Sequence, residues 1–156
     1  MPLPFMKSMS TLLGLVLFVS GSMVVADVQL VLNNRIIGSV NAPVSRPDGS
    51  GAGAGVKAQL VLVKQDGAVV PLSPSTTFRR SSPAAAYFVN GVVVTVAGVR
   101  QGETITLRLR AWEGDDFATS SLRGESKDFE VTNNGGVHNL IGLKEFKLVA
   151  QKQPSP

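Results

Sequence analysis

Apolar and polar residues alternate with a period of two in several parts of the chain. The clearest example is residues 104–112, where apolar side chains alternate with side chains that are polar except for one tryptophan. One set consists of Ile105, Leu107, Leu109 and Ala111, and the other of Thr104, Thr106, Arg108, Arg110 and Trp112. This pattern predicts a β-strand with one face in the core and one face in water.

The segment before this strand has a different pattern. Residues 92–96 are β-branched throughout, which predicts a more deeply buried strand. The connecting residues 98–103 contain Gly98 and Gly102 and predict a tight turn.

Two β-hairpins are predicted from turn residues between apolar runs. Asn90-Gly91 separates residues 87–89 from 92–94, and this dipeptide is the strongest short-range signal for a two-residue hairpin. Residues 64–67 separate 59–63 from 68–70 and predict the second hairpin.

The other strand candidates are short and are separated by turn residues. They lie at residues 28–32, 35–40, 76–79, 127–131 and 144–148. Residues 43–55 and 114–125 predict exposed loops of variable conformation, because glycine-rich segments are costly to order. Eight or nine such strands predict an all-β protein, a single antiparallel β-sandwich of the immunoglobulin-like or Greek-key type. We expect the sandwich to span residues 27–149, with a polar C-terminal tail at 150–156.

The N-terminal residues 1–26 have the pattern of a secretory signal peptide. Lys7 is the only charge before an apolar run, and Val24 and Ala26 occupy the −3 and −1 positions of a cleavage site before Asp27. An uncleaved membrane anchor is the alternative, but glycine and serine residues interrupt the run. The pattern predicts a signal-peptide helix, and after its removal a soluble protein secreted to the periplasm or the extracellular space, with no membrane segment.

Composition excludes several kinds of chemistry. The chain has no cysteine and one histidine, so it has no disulfide, thiolate metal site or redox pair. The histidine, His138, lies in a glycine-rich link, and no serine lies in a Gly-x-Ser-x-Gly turn. Arginines such as Arg79, Arg80 and Arg100 are scattered among acids, which argues against nucleic acid as a partner. No cofactor is expected.

Paired carboxylates could in principle hydrolyse a glycosidic bond. A small sandwich with nine aromatic residues offers little to line a substrate cleft, so we expect the protein not to be an enzyme. The carboxylates on strands or adjoining loops are Glu103, Glu113, Asp115, Asp116, Glu125, Asp128 and Glu130.

Two small groups of residues are candidate binding sites. Glu113, Asp115 and Asp116 could supply oxygens to calcium, although they lack the alternating spacing of a dedicated calcium loop, so a solvated acidic turn is the simpler interpretation. Arg108, Arg110 and Trp112 project from one side of a strand and could form a platform for a sugar or an acidic glycan. The alternative is that Trp112 packs over the sheet edge and the arginines pair with neighbouring acids.

Several segments also resemble a known group of proteins. They are residues 33–44, 58–60, 78–80, 86–91, 94–99, 107–112 and 140–148. Together they resemble uncharacterised small secreted proteins common in Verrucomicrobia, many of which end in a PEP-CTERM sorting tail. This chain lacks that tail. The resemblance implies export and an all-β fold, and it implies no activity or site residues.

The sequence thus favours a non-enzymatic, secreted structural or interaction module of the cell envelope or extracellular space. A carbohydrate-binding module using Arg108, Arg110 and Trp112 is the alternative. An extracellular polysaccharide or an envelope protein is the expected partner, and self-association through edge strands is a further expectation.

Overall fold

The structure is a computed structural model that describes residues 25–152. The predicted signal-peptide helix lies almost entirely outside these residues. About 50% of the chain is strand and 2% is helical, which confirms the all-β prediction. No helix of the described part is long and apolar enough to cross a membrane. The strands are β1 (Val25–Leu32), β2 (Arg35–Ile36), β3 (Val40–Asn41), β4 (Val44–Ser45), β5 (Val56–Val63), β6 (Val69–Pro71), β7 (Thr76–Thr77), β8 (Val92–Arg100), β9 (Thr104–Glu113), β10 (Leu122–Glu125), β11 (Phe129–Thr132), β12 (Val137–Asn139), β13 (Phe146–Lys147) and β14 (Val149–Ala150), with one 3-10 turn at Ala85–Tyr87.

The strands form two larger sheets and two small ones, none of them closed. The three-stranded sheet has the order β12-β1-β8, and the seven-stranded sheet has the order β14-β10-β9-β5-β6. In the second sheet β11 pairs with β9, and β7 pairs with β5. The expectation of purely antiparallel pairing is wrong at two places, because β1 with β12 and β4 with β13 run parallel.

A single buried cluster receives side chains from both larger sheets. The predicted inward set of β9 is confirmed, since Ile105 is 8% exposed and Leu107, Leu109 and Ala111 are completely buried. Leu30 of β1 and other alternating residues of β1, β5 and β8 join the same cluster. Full burial of one such side chain contributes about 1.5–3 kcal/mol, so this cluster is the main source of stability.

The prediction that residues 92–96 form a more deeply buried strand is wrong. Val94 and Val96 enter the core, whereas Val93 is 51% exposed and Thr95 is exposed. The pairing with β1 shifts register between Ala26 and Val28, and Gly98 has φ +77°, in the left-handed region. This bulge lets Val99 return to the core after two exposed residues, because the extra residue reverses the alternation.

One predicted hairpin forms and the other does not. β5 and β6 pair around residues 64–67, where the N–H of Lys64 donates to the carbonyl of Ala68 at 2.8 Å. Asn90-Gly91, however, does not join two paired strands: Val89 bridges Phe78, the N–H of Asn90 donates to Thr77, and β8 pairs with β1. Tertiary partners for both flanking segments override the local turn preference.

A buried asparagine helps to hold the segment before β8 in place. Asn34 is completely buried; its side-chain amide donates to the carbonyls of Ala42 and Tyr87, and its oxygen accepts from the N–H of Val89. A fully satisfied buried amide of this kind ties three chain segments together.

The two predicted loops are partly ordered into the sheets. Residues 43–55 contain β4, with Val44 and Ala52 completely buried, and residues 114–125 contain β10. A Cβ on Gly51 would lie 2.6 Å from the carbonyl carbon of Ala86, so this glycine is a packing contact.

The predicted domain ends also differ from those of the sheets. β1 begins at Val25, two residues before the predicted cleavage point, although its core residues all follow that point. β14 includes Ala150, and the N–H of Gln151 donates to Ser121 at 2.7 Å, so the expected tail begins inside the fold.

Candidate functional site

The outer face of the seven-stranded sheet, the side away from the core cluster, carries most of the candidate residues. Strand β9 pairs with β5 on one side and with β10 on the other. This register places Arg123 beside Trp112 and Glu125 beside Arg110. Directly opposed residues share a face and contact one another. We call Arg108, Arg110, Trp112, Arg123 and Glu125 the arginine face.

Arg108 lies between two carboxylates. Its Nε donates to Asp128 at 2.7 Å and its Nη1 donates to Glu125 at 3.1 Å. The hydrogen bond that Arg108 donates to Asp128, together with the charge of Glu125, raises the pKa of Arg108 although partial burial opposes this. Arg108 therefore forms the ion pairs that the sequence suggested as an alternative. Its cross-strand neighbour Val61 is completely buried, although it points outward.

Arg110 is more deeply buried and only partly satisfied. Its side chain is 11% exposed, and its Nη2 lies 3.3 Å from Glu125. The guanidinium carbon lies 4.3 Å from the centre of the Phe117 ring, which is a cation–π distance. Its Nε is buried and has no hydrogen-bond partner among the described residues.

Trp112 does not present an open indole. It is 5% exposed, and the ring of Phe117 packs against it edge to face at a centroid distance of 6.0 Å. The indole Nε1 is also buried with no acceptor in the described part of the chain. A sugar platform at Trp112 would therefore require Phe117 to move.

Phe117 and Arg123 complete this arrangement, and neither was predicted from the sequence pattern. The guanidinium carbon of Arg123 lies 5.3 Å from the Phe117 ring centre, and its Nη1 donates to the carbonyls of Phe117 and Ala118. Both residues fall in the segment predicted to be a loop. Only the pairing of β10 with β9 brings them to the site, and no short motif marks that pairing.

The three acidic residues considered for calcium do not converge. Glu113 accepts from Arg46 at 2.7 Å, Asp115 lies 3.4 Å from Lys57, and Asp116 accepts from the N–H of Ala118. Within residues 25–152, no group of three or more histidine, cysteine, aspartate or glutamate side chains could hold a metal ion.

The residues considered for catalysis are also dispersed. His138 lies in β12 opposite Leu30, and its Nε2 is buried without a partner in the described structure. Glu103 accepts from the N–H of Arg100, while Glu125 and Asp128 both bind Arg108. Glu125 and Asp128 thus neutralise an arginine.

A different feature lies at the edge of the three-stranded sheet. Among the described residues, the nine-residue strand β8 pairs only with β1, so its other edge has no strand partner. No charged residue lies between Val92 and Val99. This is an open edge of a kind that can pair with another strand.

Comparison with protein-family models, with curated proteins and with solved structures found no match. The described residues form an all-β fold whose sheets are not closed.

Proposed function

We propose that the protein is a non-enzymatic, exported interaction module that associates with further copies of itself through the edge of β8. The two larger sheets would be the layers of a β-sandwich, in an immunoglobulin-like arrangement. The protein would act in the cell envelope or outside the cell, as a relative of the small secreted proteins that it resembles. The observation that carries the proposal is the open edge of β8.

The composition of β8 supports pairing with another strand. Edge strands that must stay single usually carry lysine, proline or an early bulge, because their free N–H and carbonyl groups otherwise recruit a partner. Residues 92–96 have none of these features, and the bulge comes only at Gly98. Two copies could pair antiparallel about a two-fold axis, with the same residues contributed by each copy.

Sedimentation velocity of the full-length protein over a range of concentrations tests this proposal. We expect concentration-dependent association in the wild type and a monomer in the double variant Val93→Lys/Thr95→Lys. Like charges placed on paired strands repel one another across the new interface. Ile37→Lys, at an apolar residue 96% exposed in the turn between β2 and β3, is the matched control and should associate like the wild type.

A wild type that stays monomeric at its solubility limit would overturn the proposal. Equal association of the wild type and the double variant would show that another surface is responsible.

Recognition of an acidic glycan at the arginine face is the second candidate function. Two observations favour it: the donors of Arg110 and Trp112 that lack acceptors, and the absence of a carboxylate partner for Arg123 in the described structure. An extracellular polysaccharide is the partner expected for an exported protein of this kind.

A further inference from the structure

Two buried donors on one face of β9 are the starting observation. Arg110 Nε and Trp112 Nε1 have no acceptor among the described residues, and they belong to alternate residues on one face of β9. Buried N–H groups in folded proteins nearly always have a partner, so each such exception needs an explanation. Two such donors on one face of a strand make this face a candidate site for an acceptor.

Phe117 packs against both of the side chains that carry these donors. Its ring contacts the guanidinium of Arg110 and the indole of Trp112, and the face of an aromatic ring is only a weak acceptor. Phe117 belongs to the connection between β9 and β10, which begins at Gly114 with φ +93° and leaves Phe117 itself half-buried. A short, partly exposed connection of this kind can move without disturbing the two strands.

The charge around the connection favours an anion. Arg123 forms no ion pair within residues 25–152, and the side-chain hydrogen bonds that it donates go to backbone carbonyls. A pocket of about 320 Å³ lies against the same connection, and its two charged lining residues, Arg123 and Lys152, are both basic. Gln151 and Ser121 add polar groups to the same pocket.

We propose that Phe117 is a displaceable plug over a carboxylate-binding site, and that the ligand is an acidic oligosaccharide built from uronic acids. The carboxylate would accept from Arg110 Nε, Trp112 Nε1 and the guanidinium of Arg123. Displacement of Phe117 would also uncover the indole of Trp112, on which a sugar ring can stack. Lys152 and Gln151 would contact the rest of the chain of sugars in the neighbouring pocket. This inference rests on the second candidate function, the recognition of an acidic glycan.

A plug lowers the apparent affinity, because ligand binds only to the fraction of molecules in which the site is open. Removing the ring therefore strengthens binding. If the open state is about a tenth of the population, Phe117→Ala should bind about tenfold more tightly than the wild type.

Titration of the full-length protein with an oligogalacturonate tests the proposal, with a neutral oligosaccharide of the same length as the ligand control. Trp112 is the only tryptophan in the chain, so its fluorescence reports the site directly. We expect a fluorescence change with the acidic ligand only, tighter binding by Phe117→Ala, and weakened binding by Arg110→Met. Phe146→Ala removes a half-buried phenylalanine outside the site and is the matched control.

The possible failures are distinguishable. If neither the wild type nor Phe117→Ala binds the acidic ligand, glycan recognition and the plug both fail. Equal affinity of the two proteins leaves glycan recognition standing and overturns the plug. Equal binding of the neutral oligosaccharide overturns the carboxylate site, and preferential binding of polyglutamate overturns the choice of a sugar. If Phe117→Ala does not fold, Phe117→Leu keeps an apolar contact without the ring and should still bind more tightly than the wild type.

Discussion

The outer faces of the two larger sheets differ in what covers their apolar residues. On the seven-stranded sheet Trp112 is 5% exposed and Val61 is completely buried, although both point away from the core. On the three-stranded sheet Val93 is 51% exposed and Val137 is 56% exposed. The face with more charged residues is therefore the one that buries its apolar side chains more completely.

The reason is the length and pairing of the neighbouring side chains. Arg108 and Arg110 have apolar stems that can lie over adjacent residues while their guanidinium groups stay bound to Glu125 and Asp128. The valines of β8 and β12 are too short to cover one another. An exposed face of short β-branched residues beside an open edge is suited to contact with another molecule.

The largest expected effect separates the two faces directly. Trp112→Ala should lower the free energy of unfolding by about 3–5 kcal/mol, because it leaves a cavity beneath Phe117 and the arginines. Val93→Ala, on the exposed face of β8, should lower it by about 0.5 kcal/mol. Urea unfolding measures both free-energy losses. It should be followed by circular dichroism, because Trp112→Ala has no tryptophan whose fluorescence could report unfolding. Similar losses in the two variants would contradict the difference in burial.

A smaller effect tests whether the ion pairs of the arginine face contribute to stability. Arg108→Met keeps an apolar side chain beside Val61 but removes the charge, and should cost about 1–2 kcal/mol after allowance for solvent screening. The loss should shrink in 1 M salt, because the screening length there falls to about 3 Å and weakens the ion pairs. Arg100→Met, at an exposed arginine of β8 with no ion pair in the described structure, is the control and should change little.

The pH dependence of that loss follows from the direction of the pKa shift. The hydrogen bond to Asp128 raises the pKa of Arg108, so its contribution is complete below the ordinary arginine value and is lost only in stronger alkali. The difference between wild type and Arg108→Met should therefore stay constant from neutral pH to about pH 10. A difference that falls within this range would show that another group titrates with the pair.

The smallest effect concerns the bulge in the three-stranded sheet. Gly98 has φ +77° and no atom within 4 Å of an added Cβ, so Gly98→Ala should cost about 1 kcal/mol from backbone strain alone. Gly91 lies just before β8, is not among the glycines with positive φ, and has only ordinary contacts around an added Cβ. Gly91→Ala should therefore have little effect. Thermal unfolding of the two variants provides the comparison, and an equal shift in Tm would argue against a strained bulge.

The parts of the fold that the sequence predicted correctly depend on local pattern. The strand at residues 104–112 was predictable because alternation reports directly which side chains face the core. The hairpin at residues 59–70 was predictable because its turn and both its strands are neighbours in the chain. The hairpin at Asn90-Gly91 was not, since Thr77, Phe78 and β1 compete for the same backbone groups.

The candidate site shows the same division. The alternation placed Arg108, Arg110 and Trp112 on one side of a strand, and the structure keeps them there. Their partners could not be predicted, because Phe117 and Arg123 reach Trp112 only through the pairing of β10 with β9. Whether an indole on a polar face is open or covered depends on residues that no period of two can identify.

The sequence by itself determined the all-β class, the inward face of β9 and the hairpin between β5 and β6, because each depends on residues close together in the chain. Only the tertiary structure decided which strands became neighbours, which edge of β8 stayed open and what covered Trp112. The physical reason is that strand pairing joins backbone groups distant in sequence. Backbone hydrogen bonds are nearly independent of side-chain identity, so the choice among partners depends on packing of the whole domain.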